Sequence, residues 1–306
     1  MQEEGSRRAI VAAFLANLGI ASAKFVAFFI TGAASMLAEA VHSLADTGNQ
    51  GLLILGTSRA RREATREHQF GFGKERYFWA FVVALVLFSL GSVFAIHEGV
   101  DKLLHPHEVV SPAVAICILV VAIALESWSF RTAIVAARPA RGSLNWWSFI
   151  RRSKSPELPV VLLEDFGALL GLVIALAGVS LSAVFGDPRF DAIGSIGIGA
   201  LLGVIAIVLA VEMKSLLIGE SAAKEIRSAI RSTIEESPTV RRLIHMRTLH
   251  LGPDELLVAV KVEFDADLDI AGLASAINDL ESAIRQQTPI ARVIYVEPDV
   301  TRSASA

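Results

Sequence analysis

Six apolar runs, each about twenty residues or longer, constrain this chain more than any other feature. They cover 9–31, 35–57, 77–104, 112–137, 158–185 and 192–214. A helix needs roughly 20 apolar residues to cross a bilayer core, so the pattern predicts six transmembrane helices. Composition agrees: hydrophobic residues make up 53% and charged residues 19%, with a mean hydropathy of +0.55, where a soluble domain carries about 25% charge. These values exclude an ordinary soluble enzyme and a disordered chain. The lone Cys117 excludes an internal disulfide. The first run is long and leads straight into the second, so it reads as a span rather than a cleaved signal peptide.

The loops set an orientation. Arg59, Arg61, Arg62, Arg66, Lys74 and Arg76 lie between spans 2 and 3, and Arg138, Arg141, Arg151, Arg152 and Lys154 between spans 4 and 5. Arg7 and Arg8 precede span 1, while the opposite side holds Lys102 and Arg189. The positive-inside rule therefore predicts cytoplasmic termini. With no evident targeting extension, the expected location is a bacterial-type inner membrane. In the longer loop at 138–157, Leu144, Trp146, Trp147, Phe149 and Ile150 interleave with basic residues, which predicts a short interfacial helix.

After residue 219 the character changes. Residues 222–236 read as an amphipathic helix, 243–251 and 255–265 as strands joined at Gly252-Pro253-Asp254, 270–287 as a helix and 292–297 as a last strand. The second strand alternates, with Val258, Val260, Val262 and Phe264 on one side. Leu273, Ile277, Leu280 and Ile284 form one stripe of the second helix. The expected organisation is a transport domain over 1–219 and a cytoplasmic αββαβ domain over 220–306, α+β and ferredoxin-like in outline. The latter carries 10 basic and 14 acidic residues, which gives no support to nucleic-acid binding.

Ionisable groups inside a span mark function by default because they are costly there. Glu39, His42 and Asp46 follow one another at spacings of three and four in span 2, hence on one helical face. Glu164 and Asp165 lie inside the apolar stretch of span 5. An imidazole with carboxylates from two helices suits zinc or a similar divalent ion. Such ligands bind metal when deprotonated, so metal and protons compete. The alternative for these acids is pairing within the bundle, for which Lys24 and Arg131 are the near candidates. Adjacent residues stand about 100° apart around a helix, so Glu164 and Asp165 are not expected to share one small site. Glu126 in span 4 is either a cavity-facing proton carrier or a partner of Arg131. Gly167 and Gly171, then Gly199 and Gly203, are spaced for close helix approach.

At this point the sequence resembles the cation diffusion facilitator family of divalent-metal/proton antiporters. His42-Ser-Leu-Ala-Asp46 is similar to the family's HxxxD in span 2, and His68-Gln-Phe-Gly-Phe-Gly-Lys74 to its HxFGxGK stretch. The run Val-Val-Leu-Leu-Glu-Asp ending at Asp165 is similar to the divergent branch that contains the mitochondrial zinc exporter. The resemblance implies a homodimer in the lipid bilayer that exports Zn2+ as transported substrate in exchange for protons, with other divalent cations possible. It implies no organic cofactor and no enzymatic activity. His42, Asp46 and Asp165 are the implied ligands, with Glu164 and Glu39 as further candidates. Val161 stands where the family's first span-5 ligand would be, so a water, Glu164 or another span completes the site. His42 is the proton-coupling candidate, since imidazole titrates near pH 6.5.

The resemblance also implies a hinge salt bridge between Lys74 and Glu220. Accessory metal sites are degraded: Thr65 and Phe72 accompany His68 in one, Lys261 and Val296 accompany His245 and Glu297 in the other. His97, His105 and His107 read as a solvated turn. The lost span-5 ligand leaves a rival class, a non-transporting metal sensor or dimerising scaffold. An enzyme finds no HExxH helix or nucleophile–base pair, and no Walker motif points to ATP.

Overall fold

The computed structural model describes residues 18–106 and 111–300. The start of the first expected span, Arg7, Arg8 and His107 lie outside the described residues. The chain forms two compact units. One comprises the chain through Thr57 with Phe78–Met213, the other Ser58–Tyr77 with Lys214 onward.

The first unit is helical. Its elements are α1 (Leu18–Thr31), α2 (Ala34–Ala60), α3 (Glu75–Leu104), α4 (Pro112–Arg141), α5 (Trp146–Arg152), α6 (Glu157–Phe185) and α7 (Arg189–Ile218). Four of these, α3, α4, α6 and α7, are long and apolar enough to cross a membrane. At 1.5 Å per residue, a 30-residue helix is about 45 Å long, more than the hydrocarbon core requires. The most apolar window of α4 is only 17% buried. In water so large an apolar surface would be a liability, whereas a lipid environment matches it. Six spans were expected and four helices meet the measure. The helix over the second expected span forms, but Glu39, His42, Asp46 and Asn49 lower its hydropathy, and all four are buried. Only the part of the first span from Leu18 is described. A six-residue π segment, Val83–Phe88, interrupts α3.

Close approach holds α3 to α7. A Cβ on Gly199 would stand 2.8 Å from the Ser92 carbonyl oxygen, and one on Gly99 2.7 Å from that of Ala192. Ser92 Oγ donates to the Gly199 carbonyl at 2.6 Å, and Ser195 Oγ to that of Ala95 at 2.8 Å. Both glycines serve packing, Gly199 as its spacing predicted. Between α4 and α6, the predicted short helix is present as α5. Asn145 caps it by accepting from the Ser148 N–H at 2.7 Å. Phe149 packs with Ala137 and Leu162, and the Arg141 guanidinium lies 4.6 Å from the Trp146 ring centre.

One buried charge pair organises the end of the bundle where α2 begins. Lys102 Nζ donates to Asp191 Oδ2 at 2.8 Å, and both side chains are 0% exposed. The same carboxylate accepts from the N–H groups of Ala34 (2.8 Å) and Ser35 (3.4 Å) and from the Ser35 hydroxyl. Lys102 also donates to the Gly32 carbonyl at 3.2 Å. Asp191 on α7 therefore caps α2, filling the role an N-cap side chain fills locally.

The second unit holds α8 (Lys224–Glu235), β1 (Val240–Gly252), β2 (Glu255–Phe264), α9 (Ile270–Gln287) and β3 (Val293–Pro298), the αββαβ order expected. The sheet order is β1-β2-β3, with β1 antiparallel and β3 parallel to β2. Alternate residues of β2, Leu256 through Phe264, face a core shared with Ile230 and Ile234 of α8 and Ala276, Leu280 and Ile284 of α9. Asp269 caps α9 through the Gly272 N–H at 2.7 Å. The 58–77 segment belongs to this unit. A Cβ on Gly73 would stand 2.7 Å from the Leu251 carbonyl oxygen. Arg76 pairs with Asp254 at 2.8 Å. Lys74 donates to the Leu217 carbonyl at 3.4 Å within the same unit. His245, Lys261 and Glu297 lie in one row across the sheet, and Lys261 bridges Glu297 and Asp299 at 3.1 Å each. Those two carboxylates hold the Lys261 ammonium above its ordinary pKa, Glu297 most strongly.

Removing one partner of a buried ion pair leaves the other uncompensated, at a cost of about 3–5 kcal/mol. Asp191→Ala is expected to lower stability by that amount in detergent unfolding, while Lys102→Met combined with Asp191→Leu recovers most of it. Leu280→Ala is expected to cost about 2–5 kcal/mol, read as faster amide hydrogen exchange along β2 with the exchange of α6 unchanged.

Candidate metal site

The polar stripe of α2 faces inward. Glu39, His42, Ser43, Asp46 and Asn49 are all buried, because the opposite faces of this helix are apolar and the 3.6-residue period aligns these five. The α4 helix contributes Glu126 and Ser129, and α6 packs along it with Glu164 and Asp165.

These elements enclose a small cavity of about 10 Å³, room for about one water-sized sphere. Its walls are Ile20 of α1, Ser43 and Asp46 of α2, Glu126 and Ser129 of α4, and Glu164, Asp165 and Ala168 of α6. Four carboxylates from three helices therefore meet around one space. Asp165 accepts a hydrogen bond from Ser129 Oγ at 3.1 Å. Asp46 Oδ1 lies 3.5 Å from His42 Nδ1, one helical turn away. Glu164 accepts from the Asn49 side chain, and its Oε2 has no hydrogen-bond partner. Like charges this close repel, and a divalent cation between them removes the repulsion.

The structure brings Asp46, Glu164 and Asp165 to the cavity, with His42 beside Asp46. Glu164 and Asp165 share it, contrary to the expectation from their angular separation. Asn49 of α2 lies by Glu164 and Ser129 of α4 bonds to Asp165, and both neighbours, about 100° apart on α6, line the cavity. Glu39 stands away from the cavity, with Lys24 Nζ 3.2 Å from its Oε2. Glu126, left between two roles by the sequence, lines the cavity. Ser129 and Asn49 were not singled out in advance; hydroxyl and amide groups in helices carry no signal of their own. Among the described residues, no three His, Cys, Asp or Glu already stand close enough together to hold a metal ion. The donors converge on the cavity without yet forming a coordination shell.

Three other histidines, His68, His245 and His105, have local partners. His68 donates its backbone N–H to Thr65 Oγ1 at 3.1 Å, and its ring lies 4.6 Å from that of Phe72. His245 Nε2 accepts from Arg247 Nε at 2.9 Å. His105 lies 3.2 Å from Asp101 in an exposed pair.

The family model of the cation efflux transmembrane domain matches residues 10–218. The Homo sapiens protein named "Proton-coupled zinc antiporter SLC30A9, mitochondrial" is 34% identical over 245 residues, 79% of this chain and 43% of that protein. Metal tolerance protein C4 of Arabidopsis thaliana is 29% identical over 270 residues, 88% of this chain and 59% of that protein. The chain thus spans less than half of the first relative's length and about three-fifths of the second's. A solved C-terminal domain of MamM in a nickel form is 15% identical, covers 26% of this chain and 100% of that one, and has a TM-score of 0.25. The match of the transmembrane model runs from residue 10 to the end of α7, through every helix that walls the cavity, and the chain belongs to the cation efflux family.

Proposed function

We propose that the chain is a secondary transporter that exports a divalent metal cation, Zn2+, from the cytoplasm in exchange for protons by alternating access. The observation that carries this reading is the cavity itself: four carboxylates from three helices around room for one small ion. The names of the two relatives, a proton-coupled zinc antiporter and a metal tolerance protein, support it. In this reading α1 and α2 join the four apolar helices as six spans, and both termini are cytoplasmic. Residues 1–219 form the transport domain, and 220–306 a cytoplasmic domain that pairs two protomers.

Asp46, Glu164 and Asp165 bind the ion, and His42 turns toward it beside Asp46. Carboxylate and imidazole donors suit zinc and neighbouring divalent ions. Ser129 orients Asp165 and Asn49 orients Glu164, the second-layer hydrogen bonds that fix a ligand's direction. The same oxygens bind either the metal or protons, so one displaces the other. Glu126 adds a fourth charge that a proton can neutralise when the metal leaves. Glu39, a candidate ligand by sequence, serves as the counterion of Lys24 in this arrangement.

The test is uptake of Zn2+ and Mn2+ into proteoliposomes under an imposed pH gradient. Wild type is expected to move Zn2+, and Asp46→Ala and Asp165→Ala each to lower the flux by about tenfold or more. Ser129→Ala is expected to weaken Zn2+ binding by about tenfold while leaving the helical content unchanged. Flux of Mn2+ alone would overturn the choice of metal, and flux of neither ion from folded protein would favour the sensor or scaffold.

A further inference from the structure

Glu39 shares the inward face of α2 but not the cavity, and its side chain is 0% exposed. Lys24 Nζ, itself buried, donates to Glu39 Oε2 at 3.2 Å and to Ser43 Oγ at 2.6 Å. The other carboxylate oxygen, Oε1, has no hydrogen-bond partner. It lies directly against Gly171 of α6, where any Cβ would collide with it. A buried carboxylate oxygen left without a donor is costly, and here only the absence of a side chain on Gly171 lets it sit against α6. Ser43 joins the two places, since its hydroxyl receives the Lys24 ammonium and its side chain lines the cavity. Glu39, Ser43 and Asp46 follow at spacings of four and three, so they form one line about 10 Å long on α2.

We propose that Glu39 and Ser43 form a second cation station, next to the Asp46–Glu164–Asp165 cavity along α2, which the transported divalent ion occupies in passage and the tethered ammonium of Lys24 fills at rest. This deepens the transport reading and rests on it. The ammonium is a cation already bound at the station, through two of its three donors. It sits on a flexible four-carbon stem, so it can swing aside when a divalent ion arrives. While Lys24 is seated, its positive charge keeps a second divalent ion from entering, so one ion occupies the line at a time.

Two measurements on the full chain test this: Zn2+ bound per protomer in detergent by equilibrium dialysis, and Zn2+ flux in proteoliposomes. Glu39→Gln is expected to keep one bound ion per protomer, with affinity within about threefold of wild type, and to lose flux by about tenfold or more. Lys24→Met is expected to raise the bound ions from one to two per protomer, and the double variant Lys24→Met/Glu39→Gln to return the number to one. Wild-type flux in Glu39→Gln overturns the second station, as does a single bound ion in folded Lys24→Met. Should Lys24→Met fail to fold, Glu39→Gln decides alone. A wild type with neither flux nor bound Zn2+ overturns the transport reading, which is a different outcome from a wild type whose flux survives Glu39→Gln.

Discussion

An ionised side chain is stable inside an apolar helical bundle only when another charge or a set of hydrogen bonds meets it. That constraint places the buried charges of the helical unit. Lys102 and Asp191 satisfy each other completely, and Asp191 also absorbs the unpaired N–H groups at the start of α2. Lys24 satisfies half of Glu39. The cavity acids have less: a hydroxyl for Asp165, an amide for Glu164 and an imidazole at 3.5 Å for Asp46. The gradient from complete to incomplete compensation runs along α2 from its N-terminus toward Asn49. It separates the charges that hold the bundle together from those left incompletely compensated.

The frame that keeps these charges in place is made by backbone contact as much as by side chains. Gly99 and Gly199 let α3 and α7 approach until serine hydroxyls bond to the neighbouring helix's carbonyls. Gly171 plays the same part for the Glu39 carboxylate. A larger residue at any of these positions would push a helix outward and change the distances on which charge compensation depends.

The second unit is held by a different balance. Its core is an ordinary aliphatic layer between one sheet face and two helices, readable from alternation in β2 and the stripe of α9. β1 extends beyond its expected limits because pairing, not propensity, sets strand ends: Val240 pairs with Phe264 and Gly252 with Glu255. The ammonium of Lys261, seated between Glu297 and Asp299, fills with a side chain the place in the sheet where the resemblance had raised a metal.

The sequence by itself determined the apolar helices, the αββαβ order, the small helix at Trp146–Arg152 and the inward polar face of α2. Each of these follows from a period or a composition within one segment. The tertiary structure alone decided which acids share a space. A helical period fixes the angle of Glu164 and Asp165 about their own axis but not which helices flank them, so their joint presence at the cavity was not legible. Nor was the choice of Lys24 for Glu39, the capping of α2 by a residue 157 positions away, or the place of Glu126. These are encounters between segments remote in sequence, and their partners are selected by packing and by the cost of leaving a buried charge alone.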